Sequence, residues 1–349
     1  MKKYYGIEIL RFLTSITVII YHYRHFFAPY NSTSNINYFE VLSSLPFHNI
    51  LGVFFEHGIF GVHVFYTISG FVFAHIYLSN NLKITSKSFF INRFARLYPL
   101  HFVTLILVTF LQFVSFLQFD TLQIIDNNDF YHFFLQLFFI SSWGFENGHS
   151  FNAPIWSVSV EVAIYIIFFL TLSMLKKFKI FSVIILSIIL LLIDKIKVFD
   201  TLFLDCARLF FSGTLVYYLT KLNTKQFVLI IISLLLLTFS FVGNFKTYLF
   251  CPSLVLFFVS IEKYITGKLT QQYFRNLGNL TYSLYLLHLP VQIVVLIFFK
   301  LMNFSENIFK TNYFFFSFFI ILMILANYSF RLYEKPLNEL IRKKFKNNH

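Results

Sequence analysis

An arginine and a histidine stand eleven residues apart in a run that is otherwise almost wholly apolar: ILRFLTSITVIIYHY, residues 9–23, holds Arg11 and His22. On a helix that separation is three turns plus about 20°, so both side chains share one face, about 16 Å apart along the axis. A charge at mid-membrane costs about 2.5–3.5 kcal/mol on insertion scales, so such residues usually face a cavity and serve function. Arg11 alone reads equally well as a side chain snorkelling to the headgroups, and His22 alone as an interfacial histidine. Together on one stripe they favour a lined cavity.

Other polar residues sit at comparable depth. GVHVFYTISGF carries His63, Thr67 and Ser69 among apolar neighbours, with Gly70 open to close helix contact. In NRFARLYPL, Arg93 and Arg96 are one helical turn apart, followed by Tyr98 and Pro99. Two guanidiniums so spaced can grip a phosphate, although a plain cytoplasmic anchor has the same look. PIWSVSVEVAIYIIFF starts a helix at Pro154 and sets Trp156 at an interface. Glu161, about one and a half turns deeper, should face the cavity or pair with a cation or histidine. LGNLTYSLYLLHLPV adds Tyr282, Ser283 and His288, and Arg331, Glu334 and Lys335 of RLYEKPL read as an ion-pair cluster at the inner face. No H-E-x-x-H, Cys/His cluster or G-x-S-x-G elbow appears, which leaves metal binding and a serine esterase weak.

The elements that would position these residues follow from composition. The chain of 349 residues is 58% hydrophobic and 12% charged, with a mean hydropathy of +0.71; soluble domains carry about 25% charged residues. About ten stretches are apolar for long enough to cross a bilayer: 6–27, 52–78, 94–117, 155–175, 178–194, 203–220, 226–243, 246–261, 276–300 and 312–333. The shorter 130–143 reads as interfacial or re-entrant. With the N-terminus inside, about 20 of the 28 Lys and Arg fall on the cytoplasmic side, among them Lys2, Lys83, Arg93 and Arg96. Lys197 and Asp200 count with the outer side. The net charge of +13 is thus an orientation signal, and nucleic acid is not a partner. Cys206 and Cys251 form no framework. The expectation is an all-α polytopic integral membrane protein of about ten transmembrane helices with both termini cytoplasmic, residues 1–335, and a basic cytoplasmic tail, 336–349, facing anionic lipid.

In order along the chain, these segments resemble the integral-membrane acyltransferase-3 family, glycan O-acyltransferases. The resemblance runs through Arg11 and His22, GVHVFYTISGF, NRFARLYPL, APIWSVSVEVAIY, LTYSLYLLHLPV and the closing EKP. It implies transfer of an acyl group, acetyl in the first instance, from cytoplasmic acyl-coenzyme A to a hydroxyl of a cell-envelope or extracellular glycan, by a multi-pass protein of the inner (plasma) membrane. Acyl-CoA is then the donor substrate, with no permanently bound cofactor and no metal. His22 becomes the catalytic residue, a general base on the acceptor hydroxyl, with Arg11 and Glu161 as accessory catalytic groups. Arg93, Arg96 and Tyr98 would hold the donor's phosphates, and His63, Ser69, Trp156, Tyr282 and His288 line the cavity. His63 stands where many members have an acid. Many members also carry an extracytoplasmic hydrolase-like domain that completes transfer, so a separate partner is expected to do so here unless the chain finishes the reaction itself. Two other readings stand beside this one: a secondary transporter or glycan flippase using the same stripe as a path, and a non-catalytic assembly protein whose polar residues only pack.

Overall fold

Apolar runs separated by short polar connections can only bury their backbone polar groups in lipid as helices, and helices are what form. A computed structural model of the chain describes residues 3–27, 38–79, 85–196, 201–242 and 246–346. Among these residues the helices are α1 (Tyr5–Tyr23), α2 (Tyr38–Ser43), α3 (His48–His57), α4 (Ile59–Tyr77), α5 (Ser86–Phe119), α6 (Phe130–Leu137) and α7 (Ile155–Phe178). They continue with α8 (Ile180–Ile196), α9 (Thr201–Leu219), α10 (Gln226–Ser240), α11 (Lys246–Ser260), α12 (Lys268–Leu301), α13 (Asn312–Ser329) and α14 (Lys335–Lys346). No strand occurs among the described residues. Among the described residues, six helical runs are long and apolar enough to cross a membrane: α4, α5, α7, α9, α12 and the continuous stretch Asn312–Phe345. The chain is an all-α polytopic membrane protein. A helix of 15 residues, such as α10 or α11, reaches about 22 Å, short of the hydrocarbon core's roughly 30 Å.

Each apolar stretch of the sequence coincides with a helix, but two differ in extent. The stretch 52–78 is cut at Gly58 into α3 and α4. A Cβ at Gly58 would lie 2.0 Å from Tyr21 Cβ, so the chain passes Tyr21 only because it has no side chain there. The basic segment after 334 is helical as far as Lys346: α13 runs through a wide π turn at Phe330–Glu334 into α14, where Pro336 lacks the N–H an α turn would use. Leu337, Leu340 and Ile341 share one side of α14, opposite Lys335 and Arg342, which makes it amphipathic. Residues 347–349 of the tail lie outside the described residues, as do Lys2, Lys83, Lys197 and Asp200.

The chain divides into two compact units interleaved along the sequence. One comprises Met1–Thr14, Ile59–Ile84 and Val160–Asn279. Its centre is the crossing of α4 and α9, where two glycines remove the side chains that would keep the backbones apart. A Cβ on Gly70 would lie 1.7 Å from the Phe210 carbonyl oxygen, and one on Gly213 would lie 1.9 Å from that of Thr67. Phe73 stacks on Tyr165 at 4.3 Å and meets Phe168 and Phe210 edge-on. Arg208, a charge within α9, is held by Asp194 at 2.8 Å and by Tyr248 at 3.3 Å.

The other unit comprises Ser15–Gly58, Thr85–Ser159 and Leu280–His349. Pro99 interrupts the ladder of α5, and carbonyls beside it are taken by tyrosines: Tyr282 donates to Leu97 at 2.7 Å and Tyr333 to Pro99 at 3.2 Å. The α5–α7 connection is tied by its own amides. Gln112 and Gln123 exchange bonds of 2.8 and 2.9 Å, the Gln123 side chain donates to Ser115, and the Phe151 N–H donates to Asn128 at 2.7 Å.

Candidate active site

The site is built where α1 ends. Tyr23, fully buried, donates its hydroxyl to the Phe309 carbonyl at 2.7 Å within a nest of phenylalanines, Phe26, Phe315 and Phe318 among them. That anchor fixes the last turn of α1, and so fixes His22. The imidazole is 4% exposed. Its ring centroid lies 5.4 Å from His25 in the following turn and 4.9 Å from His288 on α12, tilted by 41°. His149, from the loop before α7, also acts on it electrostatically, and the His149 ring lies 6.3 Å from that of Trp156.

Helix α12 presents His288 and Gln292 one turn apart, on the same face. Gln292 donates its amide to the His22 carbonyl at 2.8 Å, tying α12 to the end of α1. Between them stands Pro290. A proline inside a helix leaves the carbonyl four residues back without its donor, and here that carbonyl belongs to Leu286. Asn152 supplies the missing donor, its side-chain amide reaching the Leu286 oxygen at 3.1 Å. Tyr285 closes the same junction: its hydroxyl donates to the Pro154 carbonyl at 2.9 Å and shares a 2.6 Å bond with Ser157. A break in α12 is therefore filled by the segment entering α7, which brings loop, α7 and α12 together around His22.

Buried polar atoms of this group without a hydrogen-bond partner among the described residues include Asn152 Oδ1, His288 Nε2 and Gln292 Oε1. An unpaired buried polar atom costs about 1–3 kcal/mol, so orphans gathered at one place suit a polar guest. Outside the spans, burial also acts on the loop: it holds His149 below the usual imidazole range and pushes the Glu146 carboxyl up.

The arginine motif lies in the same unit. Arg96 pairs with Glu334 through a short contact, and the other Glu334 oxygen accepts from Ser283 at 2.9 Å. Glu334 is thus joined to α5, which corrects the inner-face cluster expected with Arg331 and Lys335. The Arg96 guanidinium also lies 5.8 Å from the centroid of the Tyr282 ring. Arg93, one turn earlier, is half-buried. Tyr98 stacks on Phe94 at 4.6 Å.

Four of the expected residues belong to the other unit. Arg11 pairs with Glu8 at 3.3 Å on its own helix, a nearer partner than sequence reasoning supplied. Glu161 acts electrostatically on Cys206, and Asp205 acts on His63. Ser69 is half-buried beside Gly70 at the α4–α9 crossing. Among the described residues, no group of three or more His, Cys, Asp or Glu is placed to hold a metal ion. Sequence reasoning missed Gln292, His25, His149 and Asn152. Gln292 was signalled by its four-residue spacing from His288 on a helix; Asn152 had no local signal.

A polytopic helical chain with a buried histidine at the end of its first helix and an Arg-x-x-Arg turn ahead of a Tyr-Pro break is the setting in which the family comparison has meaning. A family model described as an acyltransferase domain, that of acyltransferase 3, matches residues 4–331. The chain belongs to the acyltransferase-3 family. It is a multi-pass membrane acyltransferase. No curated protein and no solved structure matched it. For an acyltransferase-3 protein the arrangement around His22 has a direct chemical reading: a desolvated imidazole flanked by a second one, beside buried polar atoms waiting for a partner.

Proposed function

We propose that this acyltransferase moves an acyl group, acetyl in the simplest case, from cytoplasmic acyl-coenzyme A to a hydroxyl of a cell-envelope or extracellular glycan. The observation that supports this most is His22, buried to 4% at the end of an apolar helix with His288 4.9 Å away. In this reading the neutral His22 takes the proton of the acceptor hydroxyl as its oxygen attacks the thioester carbonyl. The new C–O bond forms and the C–S bond breaks. The imidazolium then returns its proton to the departing thiolate, releasing free coenzyme A.

Arg93 holds the donor's phosphates, with Tyr98 beside it. Arg96 contributes only by exchanging its carboxylate partner Glu334 for phosphate. Arg11 and Glu161 order charge. The protein resides in the inner (plasma) membrane among its lipids with both termini cytoplasmic, and the 120–154 loop faces the acceptor. It completes the transfer itself or passes the acyl group to a separate extracytoplasmic partner.

The test follows label from radioactive acetyl-coenzyme A into the polysaccharide fraction of membranes carrying wild type, His22→Ala or Arg93→Ala at matched expression. Wild type labels it, His22→Ala loses at least about 100-fold, within the range of general-base catalysis, and Arg93→Ala needs more donor. Equal labelling by His22→Ala and wild type sinks the catalytic assignment.

A further inference from the structure

The general base explains His22 but leaves its neighbours on α12 without a task. Gln292 spends its amide nitrogen on the His22 carbonyl, so Oε1 remains, an acceptor with no donor among the described residues. One turn away, His288 is fully buried against His22 and Tyr285, and its Nε2 is likewise unpartnered. Both residues stand on one helix face, His288 with its ring 4.9 Å from that of His22 and Gln292 on the His22 carbonyl. An acceptor-only atom selects its guest: it needs an O–H or N–H, which a thioester carbonyl does not have. A sugar supplies both functions through neighbouring hydroxyls: one donates to Gln292 Oε1, another bonds His288 Nε2 in either tautomer, and the attacking hydroxyl keeps its single proton for His22.

The amide N–H groups of a pantetheine arm would also satisfy Gln292. Position in the unit favours the hydroxyl. Asn152, bonded to Leu286, and Pro154, bonded to Tyr285, bring the segment entering α7 onto this turn of α12. That segment belongs to the loop with the acceptor-facing assignment, whereas Arg96 meets α12 at Tyr282 and, through Glu334, at Ser283, before His288 and on the side away from Gln292.

We propose that His288 and Gln292 form the acceptor subsite of this acyltransferase, positioning residues that hold the hydroxyls of a glycan so that a neighbouring one faces His22. The inference rests on the acyl-transfer reading and adds which substrate these two residues recognise. It requires no new chemical step: His22 receives the proton of the attacking hydroxyl, and the α12 pair fixes the sugar that carries it.

The experiment uses full-length protein in membranes, radioactive acetyl-coenzyme A, and as acceptor the de-O-acylated envelope polysaccharide of the expressing cells, titrated by hexose content. Donor and acceptor are varied separately for wild type, His288→Gln, His288→Leu and Gln292→Met, with size-exclusion profiles in detergent confirming folding. Loss of one hydrogen bond to a bound hydroxyl predicts a rise of about tenfold in half-saturating polysaccharide for His288→Leu and Gln292→Met. The half-saturating donor concentration stays within about twofold, and His288→Gln, which keeps a polar group, recovers part of the loss. A shift confined to the donor assigns the pair to the pantetheine arm and overturns the proposal, as does no shift in a folded variant. If wild type transfers no label, the acyl-transfer reading itself fails, and this inference goes with it.

Discussion

Asn152 donates to a carbonyl that Pro290 has left without its helical donor, and that dependence can be measured. Asn152→Ala should strand the Leu286 oxygen in a fully buried place. A neutral hydrogen bond contributes about 1 kcal/mol net, and membrane-protein pairs average about 0.6 with a maximum near 1.7. Adding the small cavity left by the amide, the single substitution should cost about 2 kcal/mol. In a Pro290→Ala background the restored N–H of residue 290 can reach Leu286 itself, so Asn152→Ala should then cost only its cavity part. The coupling energy of the double-mutant cycle should therefore be about 1 kcal/mol. The assay is reversible denaturation of purified protein in detergent, followed by tryptophan fluorescence, since Trp143 and Trp156 flank Asn152 in the chain. The reasoning is refuted if Asn152→Ala costs the same in both backgrounds, because the amide would then be holding something other than the gap that proline makes.

Two further expectations follow from the same unit. Glu334 is 2% exposed whereas Arg96 is 25% exposed, so losing the cation should be worse than losing the anion. Arg96→Leu, which strands a buried carboxylate, should cost about 3 kcal/mol and Glu334→Leu about 1, with the double variant recovering most of the loss; thermal shift assays give the order, and the reverse order rejects the argument. For the loop, burial holds His149 below the ordinary imidazole range, so at that residue the folded loop binds fewer protons than the open one. The stability it contributes is full above about pH 6.5 and declines as pH falls from there toward the lowered value. Relative to His149→Gln, which keeps the opposite effect of the raised Glu146 carboxyl, hydrogen-exchange protection across residues 138–154, corrected for the intrinsic rate at each pH, should fall on acidification through that window.

The helices were legible because lipid leaves no alternative to them, and their apolar lengths show directly in the sequence. The exceptions were tertiary. Gly58 breaks a continuous apolar stretch only because Tyr21 lies against it, and no periodicity reports a neighbour from another helix. Arg11, His22, Arg96 and His288 were legible by type, since charged and titratable groups in apolar runs are costly. Their partners were not. Glu334 lies 238 residues from Arg96, and Gln292 lies 270 from His22. Arg11 shows the opposite case, an i,i+3 partner in Glu8 that local spacing alone makes visible.

The α5–α7 connection has its own implication for how the protein tolerates change. Asp120, Ile124, Phe139 and Phe151 all adopt left-handed backbone there, although none is glycine. Each such residue carries strain of roughly 1–3 kcal/mol, highest for β-branched Ile124. The loop's path is thus imposed by the amides that tie it down, against the preference of its own residues. An engineer seeking a sturdier protein would start with glycine or asparagine at the exposed Asp120, because Phe139 and Ile124 are buried and their packing outweighs the strain. A lineage under selection has had the same cheap step open to it, so side chains retained at that conformational expense mark where sequence drift should be slowest outside the helices.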